Sequence, residues 1–300
     1  MLTNFFSKSK PITVLLILGL FLCYYTAALL TDKIPIFNLW AVPQFLIVFG
    51  IIGFIKSKNT LTKDSSYAFL LVVLLIGVFP YTLKINNVFY VNLTLLLFLR
   101  KVYSLQSSKQ LLKKLFDGGL WLGITFLIEP KSILFGFLFY AAILFHQTIS
   151  FRTIFIPVIG FFSPVFLFFT YQYWFNKSEV FYNLFDWTIT YNFNFYDDYV
   201  FIIPINFILL LTFLAILYKS PKALAVKNSF RKNWILILCH LFLAALLLSF
   251  TTLKNGSELL YVFFPIAIII ANGIELLQKK WISEVVFIAF LVCSVVVYST

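Results

Sequence analysis

The chain has 300 residues, of which 62% are hydrophobic and 11% charged, with a formal net charge of +12. A soluble domain carries about 25% charged residues, so a water-soluble fold of this size has nowhere to hide so much apolar surface. The positive charge does not indicate nucleic acid, because the cations sit in short loops between apolar runs, where they act as topology signals.

Eleven apolar segments follow one another, at about 11–30, 39–55, 66–83, 88–99, 120–128, 132–145, 154–174, 199–217, 234–250, 259–276 and 283–298. Backbone polar groups in lipid must be satisfied within the spanning element, which leaves helices or a closed barrel. A barrel would show ~10-residue strands of alternating polarity. The continuous runs here predict an all-α polytopic transmembrane helical bundle, a single domain over residues 1–300. The first run is too long for a cleaved signal and is read as an anchor. Glu129-Pro130-Lys131 separates the fifth and sixth segments. Proline ends or kinks a helix, so this stretch predicts two half-length helices meeting at a polar break.

If the amino terminus lies inside and every segment crosses, the outer loops hold only Lys33, Lys84, Lys131, Lys177 and Lys254 of the 23 cations. The other cations fall inside. This bias predicts a bacterial inner-membrane, multi-pass protein with a cytoplasmic amino terminus. Seven of the 11 acidic residues fall outside: Asp32, Glu129, Glu179, Asp186, Asp197, Asp198 and Glu258. Two further pieces do not span. Residues 105–116 alternate Leu105, Leu112, Leu115 and Phe116 with Lys109, Lys113 and Lys114, the pattern of an interfacial helix on an anionic cytoplasmic leaflet. The outer loop 175–198 is dense in aromatics, including Phe181, Phe185, Trp187, Tyr191, Phe193 and Tyr196.

Ionisable residues at membrane depth cost about 2.5–3.5 kcal/mol each on insertion scales. Glu129 and Lys131 are therefore either the polar floor of an outward cavity or a wet hairpin tip. Asp32, just past the first span, is a general base, a cation ligand or a plain loop charge. Asp197-Asp198 with Asp186 is a divalent-cation site or a solvated turn, the latter being the usual state of adjacent aspartates. Asp186 and Trp187 belong to a loop suited to sugar stacking or to lying along the membrane interface. Gly119 and Gly123 form a GxxxG, a helix-packing signal. Cys23, Cys239 and Cys293 have no metal-ligand spacing, and there is no P-loop, GxSxG, HExxH or CxxC.

The stretch 119–140, GLWLGITFLIEPKSILFGFLFY, resembles a segment of the GT-C glycosyltransferases. In these multi-span enzymes a Gly-rich apolar helix ends in a Lys-Pro-like break before a second apolar helix. Here Pro130 and Lys131 stand in the reverse order. The run 260–268, LYVFFPIAI, resembles that superfamily's Arg-Tyr pair followed by proline, with Tyr261 and Pro265 matching and Leu260 in place of the arginine. The whole chain also resembles an uncharacterised multi-pass membrane-protein family of Bacteroidota. The GT-C resemblance implies an outward-facing site between spans, a polyprenyl-phosphate-linked sugar as donor, Asp32 as catalytic base, and Glu129, Lys131, Asp186 and Trp187 as substrate-binding groups. The first outer loop is short, there is no soluble carboxyl-terminal domain, and no cofactor is indicated. A non-catalytic membrane subunit or scaffold of an envelope-assembly complex, with a membrane-protein partner, fits the same pattern, and so does a transporter. Membrane lipids are the expected surroundings on every reading, and nucleic acid on none.

Overall fold

The structure is a computed structural model and describes residues 2–35, 40–147, 149–187, 193–225, 229–251 and 254–299. Among these residues the chain is all helical. A short α1 (Leu2–Phe6) precedes α2 (Pro11–Leu30), α3 (Ala41–Lys58), α4 (Tyr67–Val78), α5 (Asn87–Tyr103), α6 (Leu111–Ile128) and α7 (Phe135–His146). Then come α8 (Phe151–Trp174), a short α9 (Ser178–Tyr182), α10 (Tyr199–Ala225), α11 (Ser229–Phe250), α12 (Leu260–Ile274) and α13 (Lys280–Ser299). Eight of these helices are long and apolar enough to cross a bilayer. The remaining three of the expected segments are α4, α6 and α7, so all eleven are helices, and the chain is an all-α polytopic bundle.

Long-range hydrogen bonds sort the helix ends into two groups. At one end Thr3 Oγ1 donates to Glu284 (3.1 Å), Ser65 Oγ to Glu275 (2.6 Å) and Asn233 Nδ2 to the Asn59 carbonyl (3.2 Å). At the other, Asn86 Nδ2 donates to Ser257 Oγ (2.9 Å), Tyr298 to the Tyr24 carbonyl (3.2 Å) and Tyr196 to Glu258 (2.6 Å). The pairing is that of a chain crossing from end to end at each of the eleven segments. The first end carries most of the lysines and arginines and is termed the basic end.

The core is the α12 span, whose window Ser257–Ile274 is wholly buried. Helices α4, α10 and α11 pack around it, and α4 is buried over nearly its whole length. The outer helices turn leucine and phenylalanine outward: Leu15, Phe166, Leu167 and Val295 are all more than half exposed. Lipid is the solvent for these side chains. Helix α8 joins the bundle through α6 at van der Waals range. A Cβ on Gly119 would stand 2.1 Å from the Pro157 carbonyl oxygen, one on Gly123 2.3 Å from that of Phe161, and one on Gly160 2.3 Å from that of Phe116. The GxxxG is thus a packing seam, as small residues are in membrane helix pairs.

Two expectations need correction. Residues 105–116 are not one surface helix. Leu105 lies in a 3-10 turn, and residues 111–116 are the first turns of α6. Helix α6 is consequently not half-length: its 18 residues span about 27 Å at 1.5 Å per residue. Two of the three charges in its first turns are partnered. Asp117 bridges Lys101 at 2.6 Å, and Lys114 donates to the Ser104 and Ser107 carbonyls, each at 2.7 Å. The break at Pro130 does form, with extended Glu129 (φ −136°), a 3-10 turn over Pro130–Leu134, and then the 12-residue α7.

Candidate functional site

Polar groups converge at the end opposite the basic loops, where the α6–α7 turn meets the α11–α12 connection. Helix α11 ends here with its last carbonyls unsatisfied by the helix, as every helix does. Two lysines from separate segments cap it. Lys131 Nζ donates to the Phe250 carbonyl, and Lys254 Nζ donates to those of Leu248 and Ser249. Cations suit this position, because the carbonyl end of a helix carries partial negative charge. Lys131 is only 7% exposed.

Two carboxylates face these lysines. Burial raises the Glu129 carboxyl above its usual range, while Lys131 and Lys254 pull it back and the backbone N–H of Lys131 donates to it. Burial likewise lowers the Lys254 ammonium, against the opposing charge of Glu258. Glu258 is fully buried. One of its oxygens accepts from Tyr196 at 2.6 Å, and the other from the Asn255 N–H at 3.2 Å. Tyr261 stands within reach of the charges of both Glu129 and Glu258. A charged group buried in lipid needs a partner for each face it presents. This cluster supplies them from three stretches distant in sequence, 129–131, Tyr196 and 248–261.

Beside the cluster an apolar slot of about 650 Å³ runs between α10 and α11. Both helices pack on α12 and less on each other, so α12 forms the floor, through Val262 and Ile266. Ile208 and Thr212 of α10 form one wall, and Leu241 and Ala245 of α11 the other. Leu209 and Phe242, also lining it, are 57% and 64% exposed, so the slot opens sideways toward lipid. Its other end meets the charges. Leu248, Ser249, Phe193 and Tyr196 line the slot. The first two accept from Lys254, Phe193 lies under that ammonium at 5.1 Å, and Tyr196 holds Glu258.

The residues expected from the sequence are only partly brought together. Glu129 and Lys131 lie in the cluster. Asp32 is exposed past α2 in a left-handed conformation (φ 55°), and among the described residues no hydrogen bond or ion pair joins it to them. Asp186 and Trp187 are exposed in the loop after α9, with the indole N–H donating locally to the Leu184 carbonyl (3.2 Å). That part of the loop is held by Phe185, which packs on Phe126, and by Phe181, which packs on Phe169. Asp198 accepts from the Val200 N–H (3.4 Å) at the start of α10. Among the described residues no three His, Cys, Asp or Glu side chains are grouped for a metal. Tyr191 lies outside the described residues.

Sequence reasoning missed Lys254, Tyr196 and the inward role of Glu258. Lys254 and Glu258 sit in a loop whose composition reads as solvated, and Tyr196 is one aromatic among many in its loop; the available sign was a carboxylate three residues before a tyrosine at the start of an apolar run. No curated protein and no solved structure matches the chain. The family of unknown function DUF6427 matches residues 1–300, and the chain belongs to that family.

Proposed function

We propose that this membrane protein is a transferase for lipid-phosphate-linked sugars, working at the end of the bundle opposite the basic loops. The observation that carries the reading is the junction of slot and cluster: the carbonyls that Lys254 caps belong to slot-lining residues. An apolar slot alone selects little in a membrane, since surrounding lipid tails are equally apolar. Selection has to come from the charged end, where paired lysines suit a phosphate and a carboxylate suits proton transfer.

In this reading the polyprenyl chain lies between α10 and α11, and its phosphate meets Lys254 and Lys131. The acceptor hydroxyl oxygen bonds to the anomeric carbon as the bond from that carbon to the phosphate oxygen breaks. The electron pair leaves with the phosphate, whose charge the ammonium groups offset, and the acceptor proton passes to Glu129. Glu129 is preferred to Asp32 as the base because it is held among the lysines. Asp186 and Trp187 lie on the loop at the same end, on the path of an acceptor arriving from water.

A second reading, a non-catalytic membrane subunit, is favoured by one observation: Lys131 and Lys254 already serve as caps of α11. The deciding experiment is gene deletion followed by mass spectrometry of polyprenyl-phosphate sugars in the membrane lipids. One species is expected to accumulate, and to be cleared by the intact gene but not by Glu129→Gln. An unchanged lipid profile would reject the transferase and leave the subunit reading.

A further inference from the structure

The basic end holds a second concavity, of about 830 Å³, between the ends of α3 and α5 and the start of α6. Six cations border it, Lys58, Arg100, Lys101, Lys109, Lys113 and Lys114, against one carboxylate, Asp117. Asp117 is already bound to Lys101 at 2.6 Å, so it leaves the other five uncompensated. Two more of the cationic side chains are held in place. Lys114 is held by the Ser104 and Ser107 carbonyls, and the Arg100 guanidinium lies 4.6 Å over the ring of Phe54. The charges of Lys101 and Lys58 act on the Lys114 ammonium and repel it.

Helix α6 begins at the same concavity. Gln110, which lines it, takes a left-handed conformation (φ 51°), offers no side-chain cap, and is followed by a first turn without an acidic residue. The free N–H groups at a helix start are electropositive, and cations placed there are unfavourable on their own. Lys113 and Lys114 stand there nonetheless. An anion between the helix start and the lysines would turn each of these repulsions into attraction. The lining also has an apolar member, Phe54, exposed beside the charges, as suits a group anchored in the membrane surface.

We infer that the concavity between α3, α5 and α6 binds a phosphate group, borne by the headgroup of an anionic membrane lipid or by a soluble phosphate compound. The chemistry is the same for both sources: several oxygens carrying at least one negative charge, met by dispersed ammonium and guanidinium donors. Basic pockets between spans at a membrane surface are suited to such headgroups.

The test uses the full-length protein purified in a neutral detergent. Its thermal unfolding midpoint is followed while phosphatidylglycerol, cardiolipin, phosphatidylcholine, inorganic phosphate or pyrophosphate is added. A rise with the anionic lipids but not with phosphatidylcholine or the inorganic anions identifies a lipid headgroup. A rise with phosphate or pyrophosphate alone identifies a soluble source, and either result supports the site. Lys58→Gln with Lys113→Gln, both exposed, should weaken the effective ligand about 30-fold, at roughly fivefold per cation near the surface. The double variant Lys8→Gln with Lys10→Gln, equal in charge but outside the concavity, should respond as the wild type. No rise with any phosphate compound, or an equal response from both double variants, would overturn the inference.

Discussion

Tyr196 donates its hydroxyl hydrogen to Glu258 across 2.6 Å, and thereby ties the loop before α10 to the start of α12. Burial, and then the Glu258 charge, hold the Tyr196 phenol far above its ordinary range, so it remains a donor at every accessible pH. Glu258 is fully buried, and losing a donor leaves its charge short of a partner. Hydrogen bonds to charged groups contribute about 1.5–3 kcal/mol. Tyr196→Phe should therefore destabilise the protein by about 2 kcal/mol in reversible unfolding in detergent. The same substitution made in a Glu258→Gln background should cost clearly less. Strict additivity of the two changes would show that the bond contributes nothing.

The α6–α8 seam gives a prediction with an internal control. Gly119→Ala drives a methyl group to 2.1 Å from a backbone oxygen, which cannot rotate away as a side chain can. Overpacking of this sort costs about 1–3 kcal/mol. Gly53→Ala, in α3, meets nothing within 4 Å and removes a flexible residue from a helix. The α6 variant should lose stability and the α3 variant should hold or gain slightly, by about 0.5–1 kcal/mol. Equal midpoints for the two would mean that α6 and α8 do not touch at the glycines.

What the sequence displays depends on the kind of force involved. The eleven segments were legible because lipid imposes one requirement along each run, and the run 11–30 matches α2 residue for residue. The α6 start was not legible, because Lys113, Lys114 and Asp117 look like a break in hydrophobicity. The partners of Asp117 and Lys114, Lys101 and the Ser104 carbonyl, come from residues distant in sequence. Glu129 and Lys131 were legible as charges out of place between apolar runs. Lys254 and Tyr196 were not, since what distinguishes them is the end of α11 and the carboxylate of Glu258, which only folding brings to them. Asp32 drew notice by a resemblance of position, and it ends in an exposed turn.

Glu129 makes a pH prediction. Its carboxyl lies at the α6–α7 turn, and burial raises it above the usual value despite Lys131 and Lys254. The folded state therefore holds this proton more tightly than the unfolded chain does. The associated stability is fully present below the unfolded value, about 4.3, and is lost as pH rises through the higher folded value. Glu129→Gln removes the loss. The variant should unfold at a higher temperature than wild type at pH 8, and the gap should close near pH 4. A constant gap across that range would show that the carboxyl does not titrate abnormally.

The slot can be filled without touching the charges. Ala245 lines the α11 wall and is exposed, so a larger side chain there can occupy the space without displacing a neighbour in the core. Ala245→Trp adds an indole beside Thr212 on the facing wall. If a lipid chain must enter between α10 and α11, this variant should fail to restore the lipid profile of the deletion strain. Its unfolding midpoint should stay close to that of wild type, because the Lys254, Glu258 and Tyr196 contacts remain. Glu129→Gln should fail in the same assay with its slot open, so the two variants separate loss of chain entry from loss of proton transfer. Full restoration by Ala245→Trp would remove the slot from the mechanism and leave the charged cluster as a cap on α11.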